Sequence, residues 1–277
     1  MPCSCVGMLS VAASAAAVVL SAFAAGLPLW SLLAYSNNGQ MTSATFTAGV
    51  WGYCTDVSFL QSGSHGLDEN VQTTGQCYLY YSSSRNVRVD LNASDANSTI
   101  VLPNQGACAT FAQDGGSKKR LLSTVLDIDE ATFDAFLTNT CSAKGKASLA
   151  FAMLSPIFGA FAFCLLLAGV CCARNESCIV GFAAMMTGLA TIWAAIAFIV
   201  WNGQAPSGQR LRLGASYYME VAATVSYATS CFFAAVHMQQ GKKSERKSNA
   251  KATSNLQATL DKQRSKVASG RMPTRLV

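Results

Sequence analysis

Hydrophobic residues in this chain gather into four long runs, residues 6–35, 147–173, 178–201 and 213–238, with polar stretches between them. Each run exceeds the roughly 20 residues that a helix needs to cross a hydrocarbon core of about 30 Å. Inside a bilayer every backbone N–H and C=O must be paired within its own segment, so all four are predicted to be helices. The pattern divides the chain into an N-terminus with a first spanning helix (1–35), a long loop domain (36–146), spanning helices at 147–173 and 178–201, a second loop (202–212), a fourth spanning helix (213–238) and a polar tail (239–277). The expected fold is a membrane all-α four-helix bundle with a small extracellular antiparallel β subdomain.

The first run also holds Ala22-Phe23-Ala24, which matches the small-residue cleavage site of a secretory signal. Such a signal wants a basic start and a short apolar core. Here no Lys or Arg precedes the run, and it continues through Leu27, Leu29 and Trp30, so a retained helix is expected.

Within the long loop, Thr45-Phe46-Thr47, Cys77-Tyr78-Leu79-Tyr80-Tyr81 and Val87-Arg88-Val89-Asp90-Leu91 are rich in aromatic and β-branched residues, with Gly, Ser and Asn between them. That composition predicts short strands in an antiparallel sheet. Over residues 121–137 the apolar positions Leu121, Val125, Ile128, Phe133 and Phe136 recur at roughly helical spacing, predicting an amphipathic helix that leads into the second span. Only residues 174–177 separate the second and third spans, which must pack as an antiparallel hairpin. Pro156 is predicted to bend the second span. Ser155 with Gly159, and Ala184 with Gly188, place small residues four apart, where helix backbones approach closely.

Composition agrees: 51% of residues are hydrophobic and only 12% charged, against about a quarter charged in soluble domains. No charge precedes Asp56, and ten of the 20 Lys and Arg lie beyond the fourth run, opposed there by Glu245 and Asp261 alone. By the positive-inside tendency this basic tail is cytoplasmic, four crossings return the N-terminus to the same side, and the long loop faces outside. Asn92-Ala93-Ser94 and Asn97-Ser98-Thr99 are glycosylation acceptors within that loop, whereas Asn175-Glu176-Ser177 falls on the cytoplasmic side and is expected to stay unmodified. The tail has few large apolar residues and is predicted to be disordered. Its Lys242, Lys243, Arg246 and Lys247 follow the fourth span directly, where they either attract anionic inner-leaflet lipids or serve as an unspecific positive-inside anchor.

Cys54, Cys77, Cys108 and Cys141 lie in the loop assigned to the oxidising side, where disulfides form. Four cysteines allow three connectivities. Pairing in order, Cys54 with Cys77 and Cys108 with Cys141, suits a small sheet with an appended subdomain and is the expectation. Cys164 and Cys231 are predicted to pack inside the helices. Cys3, Cys5, Cys171, Cys172 and Cys178 cluster at cytoplasmic helix ends, as palmitoylation sites or as unmodified small residues.

Glu220 is the one charged residue well inside a span. Burying a carboxylate there is costly, which makes it a functional candidate. Its shallow depth favours snorkelling or a hydrogen bond to a neighbouring helix over ion transport. With only His65 and His237 in the chain, no His-based triad or zinc cluster can be assembled, and no phosphate-cradling glycine loop is present. No enzyme activity, cofactor or metal is expected, and basic charge beside a membrane does not point to nucleic acid.

Trp30, Gly49-Val50-Trp51, Cys54 and Cys77 resemble the pattern of the claudin superfamily, which includes claudins, the peripheral-myelin-protein group, calcium-channel gamma subunits and fungal PalI-type proteins. That pattern places a Trp at the outer end of the first helix, then Gly-Leu-Trp, two residues, Cys and a second Cys. Val50 replaces the Leu, and Phe46 to Cys54 is most similar to the PalI-type version. Cys77 lies farther from Cys54 than in claudins, and Cys108 and Cys141 have no counterpart in a typical one. Amastins share the four spans and a Trp-Gly near a Cys, with a less similar spacing. The resemblance implies a claudin-like, non-enzymatic plasma-membrane protein that organises cell contacts or lateral membrane domains, through membrane-protein partners or self-association. The alternative it implies is an auxiliary, gamma-like subunit that modulates a channel or transporter.

Overall fold

The computed structural model describes residues 5–37, 40–58, 76–82, 87–90, 99–102, 106–113, 123, 128–172, 177–205 and 211–268. Four helices carry the architecture: α1 (Cys5–Gly26), α4 (Ala143–Leu167), α5 (Ser177–Gln204) and α6 (Ala215–Ala268). All four contain stretches long and apolar enough to cross a membrane, which makes this a multi-pass membrane protein. They pack as a ring, α1 beside α4 and α6, and α5 beside the same two. Phe161, Phe182, Ile199, Val225 and Phe232 are exposed on its outer face, as lipid-facing side chains are.

What lets the ring close is a buried seam on each helix, spaced alternately three and four apart, made of small residues on α1, α4 and α5 and of small residues with Glu220 and Tyr227 on α6. On α1 the buried positions are Ser10, Ser14, Ala17, Ser21 and Ala24; on α4 they are Ser148, Ala152, Ser155, Gly159 and Ala162. On α5 they are Ala183, Thr187, Ala190, Ala194 and Ala197, and on α6 Ser216, Glu220, Ala223, Tyr227, Ser230 and Ala234. A strict repeat of 3.5 keeps one face turned to its neighbours along the whole length, and small residues let backbones approach where lipid offers no hydrophobic drive to associate. Serine hydroxyls add polar bonds: Ser10 Oγ donates to Ser230 O at 2.9 Å and Ser230 Oγ to Ser10 O at 2.8 Å.

A five-stranded antiparallel sheet sits at one end of the ring, in the order β4 (Gln76–Leu79), β3 (Gly52–Ser58), β2 (Gln40–Ala48), β1 (Ser31–Asn37), β7 (Leu211–Leu213). β5 (Val87–Asp90) and β6 (Thr99–Leu102) form a hairpin of their own, so the segment near Val87 stands outside the main sheet. Helices α2 (Ala107–Gln113) and α3 (Glu130–Cys141) complete this part. Phe133 and Phe136 of α3 are buried against Phe46 of β2, with ring centroids 6.4 and 5.7 Å away.

Several boundaries differ from those the apolar runs predict, each for a local reason. The first run reaches residue 35, but α1 stops at Gly26 and residues 31–35 belong to β1. Pro28 lacks an N–H and forces the residue before it away from helical geometry, so the helix cannot pass Leu27. Of the helix expected over residues 121–137, residues 121, 122 and 124–127 lie outside the described residues, Ser123 is helical, and α3 begins at Glu130, where the Asp129 side chain accepts from Thr132 N at 3.1 Å and caps it. The second span begins at Ala143 rather than 147 because Ser142 does double duty: its Oγ accepts from Lys144 N and donates to Asn139 O, joining the end of α3 to the start of α4. The second loop, expected at 202–212, contributes β7 to the sheet edge.

The tail departs furthest. Predicted to be disordered, residues 239–268 continue α6 as helix, with Lys242, Lys243, Arg246, Lys247 and residues 249–262 exposed. Lack of apolar residues removes packing but not helix propensity, and this stretch is rich in Ala, Lys, Gln and Arg, which favour helix, with no Pro before Pro273.

Candidate functional site

The junction between sheet and ring is built on the last turn of α1. A helix ends with carbonyls that have no partner within it, and in an apolar setting each must be satisfied. Leu27 N donates to Phe23 O at 3.0 Å. The indole of Trp30 turns back, and its Nε1 donates to Ala24 O at 2.6 Å. From across the sheet, Trp51 Nε1 donates to Gly26 O at 3.1 Å. The two motif tryptophans are therefore caps on one helix end.

Gly49 explains how Trp51 gets there. Gly49 N donates to Gly52 O at 2.8 Å, closing the β2–β3 hairpin around a two-residue tip, Val50-Trp51. A Cβ at Gly49 would stand 2.7 Å from Pro28 Cα, so only glycine lets the tip lie on the chain that leaves α1. At Gly52 a Cβ would strike the carbonyl of Tyr78 on β4. The backbone of Trp30 is held on both sides, its N–H by Ala48 O and its carbonyl by Gly214 N, each at 2.8 Å. Ser216 N donates to Leu29 O at 2.9 Å, so the start of α6 grips the same turn.

Trp30 is fully buried, its ring 5.4 Å from Trp201 of α5 and 6.5 Å from Tyr217 of α6. Trp201 Nε1 donates to Ser31 Oγ at 3.1 Å. Sheet and ring thus share one core. It continues outward through Phe46, Tyr53, Tyr78, Tyr80, Phe133 and Phe136. Burial pushes the phenols of Tyr53 and Tyr80 well above the ordinary tyrosine range, and neither hydroxyl has a hydrogen-bond partner among the described residues. Tyr81 donates its hydroxyl to Thr140 O at 2.5 Å, and burial pushes its phenol up to about 12.

Cys54 and Cys77 face each other in register on β3 and β4 and are bonded; Cys108 and Cys141 are bonded as well and tie α2 to the end of α3. Trp30, Gly49 and Trp51 come together at the helix end, while the Cys54–Cys77 bond lies next along β3. Asn92, Asn97, Asn175 and Cys3 lie outside the described residues, as do the side chains of Cys171 and Cys172 in the π turn (Ala168–Cys172) that follows α4. Cys5 and Cys178 are exposed. Cys164, expected to pack inside, is exposed on the outer face of α4, while half-buried Cys231 reaches Ala184 O at 3.4 Å. Lys242, Lys243, Arg246 and Lys247 are exposed on α6.

Glu220 does not snorkel: it is fully buried, and Ser21 Oγ lies 3.2 Å from its Oε1. Sequence reasoning missed its companions Ser21, Ser155 and Tyr227, although their place in the seams gave a signal. Gly159 makes room for Tyr227, whose hydroxyl a Cβ there would strike.

No protein-family model matches the chain, and no curated protein matches it.

Proposed function

We propose that this chain is a non-enzymatic, claudin-like four-span protein of the plasma membrane, whose outward-facing sheet organises contacts between cells or between neighbours in one membrane. The observation that carries this is the junction of Trp30, Gly49 and Trp51 on the last turn of α1. It fastens a disulfide-bonded sheet to the ring and presents it as a rigid platform at one membrane surface. Both termini are cytoplasmic, an orientation supported by the basic residues beyond the fourth span and the sequons Asn92 and Asn97 in the long loop. Lys242, Lys243, Arg246 and Lys247 then begin the cytoplasmic part of α6, within reach of anionic inner-leaflet lipids.

Imaging a tagged copy in mixed populations of expressing and non-expressing cells tests the role. Enrichment only where two expressing cells touch is the outcome for a contact protein. Self-association in one membrane, indifferent to contact, assigns the lateral role. Co-purification of a larger multispan partner without self-association would replace both with an auxiliary-subunit role.

A further inference from the structure

We propose that Glu220, Ser21, Ser155 and Tyr227 form a site inside the helix ring that binds one exchangeable monovalent cation, either a proton or sodium. The four side chains come from three helices. Ser21 Oγ of α1 lies 3.2 Å from Glu220 Oε1 and 3.0 Å from Ser155 Oγ of α4, and Tyr227 OH of α6 lies 3.5 Å from Ser155 O. Glu220 is fully buried, yet its Oε2 has no hydrogen-bond partner among the described residues. A buried carboxylate needs a compensating positive charge. None faces it among the described residues: α1 and α5 carry no Lys, Arg or His, those of α4 are Lys144 and Lys146 in its first turn, those of α6 begin at His237 beside Gly7, about 25 Å further along the helix, and Arg212 of β7 is exposed. The one other titratable group at the site is Tyr227, from the same helix as Glu220.

The hydrogen-bond chain accommodates both charge states without moving a heavy atom. Ser21 has one hydroxyl proton and two acceptors in reach. With the carboxylate ionised, Ser21 donates to Glu220 Oε1. When a proton joins Oε1, forming a single O–H bond, that O–H donates to Ser21 and Ser21 donates to Ser155. The reversal needs only hydroxyl rotations. The same set of carboxylate, hydroxyl and carbonyl oxygens is the hard donor type that suits an alkali cation, and one negative charge matches one positive. An independent observation extends the site along the ring. Ser148 and Ser14 are fully buried with hydroxyls that have no partner, each one heptad from Ser155 and Ser21 on its own seam. At 1.5 Å rise per residue they stand about 10 Å away in opposite directions along the axis. They place further buried hydroxyls on the same two seams, one on each side of the site.

Infrared difference spectroscopy of the full-length protein in lipid nanodiscs tests this, with sodium chloride against choline chloride at fixed pH, and with pH varied in choline. The expected result is a protonated-carboxyl band that is present in choline at acidic pH, absent in Glu220→Gln, and shifted in frequency in Ser21→Ala. Loss of that band on adding sodium assigns sodium as a ligand. Loss only on raising pH assigns the proton alone. The Ser21→Ala shift assigns the band even if Glu220→Gln does not fold. A band unchanged in every buffer, or none at any pH, would overturn the proposal. Neither result bears on the contact role.

Discussion

Single side chains at the junction have separable jobs, and the tryptophans show it best. Trp30→Phe keeps an aromatic ring in the shared core but removes the donor from Ala24 O, leaving a buried carbonyl unpaired. A loss of roughly 1–3 kcal/mol is expected, read as a lower unfolding temperature in detergent. Trp51→Phe, at a half-buried position, should cost less, about 0.5–1.5 kcal/mol. Unchanged stability in both would remove the capping role. Tyr53 behaves oppositely. Its hydroxyl has no partner, so Tyr53→Phe should be neutral or stabilising within about 1 kcal/mol, and a larger loss would mean the hydroxyl is bonded. The same burial sets a pH response. Tyr53, Tyr80 and Tyr81 hold their protons above the unfolded value of about 10, so beyond that pH the unfolded chain has fewer bound protons and stability falls as pH rises. Alkaline unfolding should therefore begin above about pH 10 and be shallower in Tyr53→Phe. A profile identical to that of the unsubstituted chain would contradict this.

Among elements, what was legible was what repeats. Four apolar runs announced four helices, because a bilayer leaves no other fold for them. The end of α1 was hidden, since Leu29, Leu32 and Leu33 look the same in a helix as in a buried strand; the signal was Gly26 and Pro28 flanking Leu27. β7 was hidden because three residues carry no periodicity, and its place depends on pairing with β1, far away in sequence. The seams were readable but were sampled only at Ser155 with Gly159; Ala184 and Gly188 each fall one residue off the α5 seam, and the informative pattern was the heptad. Gly159 sits in that pattern facing Tyr227. Gly159→Ala should destabilise by roughly 1–3 kcal/mol through overpacking, with Tyr227→Leu restoring much of the loss in the double variant. Additive losses would mean that the two residues do not share space. For α6, truncation after Gln240 should lower helical ellipticity, because the tail is helix; no change would restore the disordered tail that its composition suggested.

At the scale of the molecule, sheet and ring are one folding unit. The spacing of cysteines suggested an order of pairing, but the purpose of the bonds was invisible until β3 and β4 lay side by side. Replacing Cys54 with Ser should cost roughly 2–5 kcal/mol and leave Cys77 open to thiol reagents in the folded protein. Cys77 that stays unreactive in that variant would mean it has another partner. Partner choice was beyond the sequence, because it depends on surfaces that composition does not describe. In the proposed orientation the sheet is held on the outside of the membrane by the capped end of α1, with the helical tail on the other side. The most direct test of that orientation is antibody labelling of two tagged copies, one tagged between β3 and β4 and one at the C-terminus, in intact and in permeabilised cells. The first tag should be stained in intact cells and the second only after permeabilisation; the reverse pattern would contradict the orientation and with it the proposed role of the sheet.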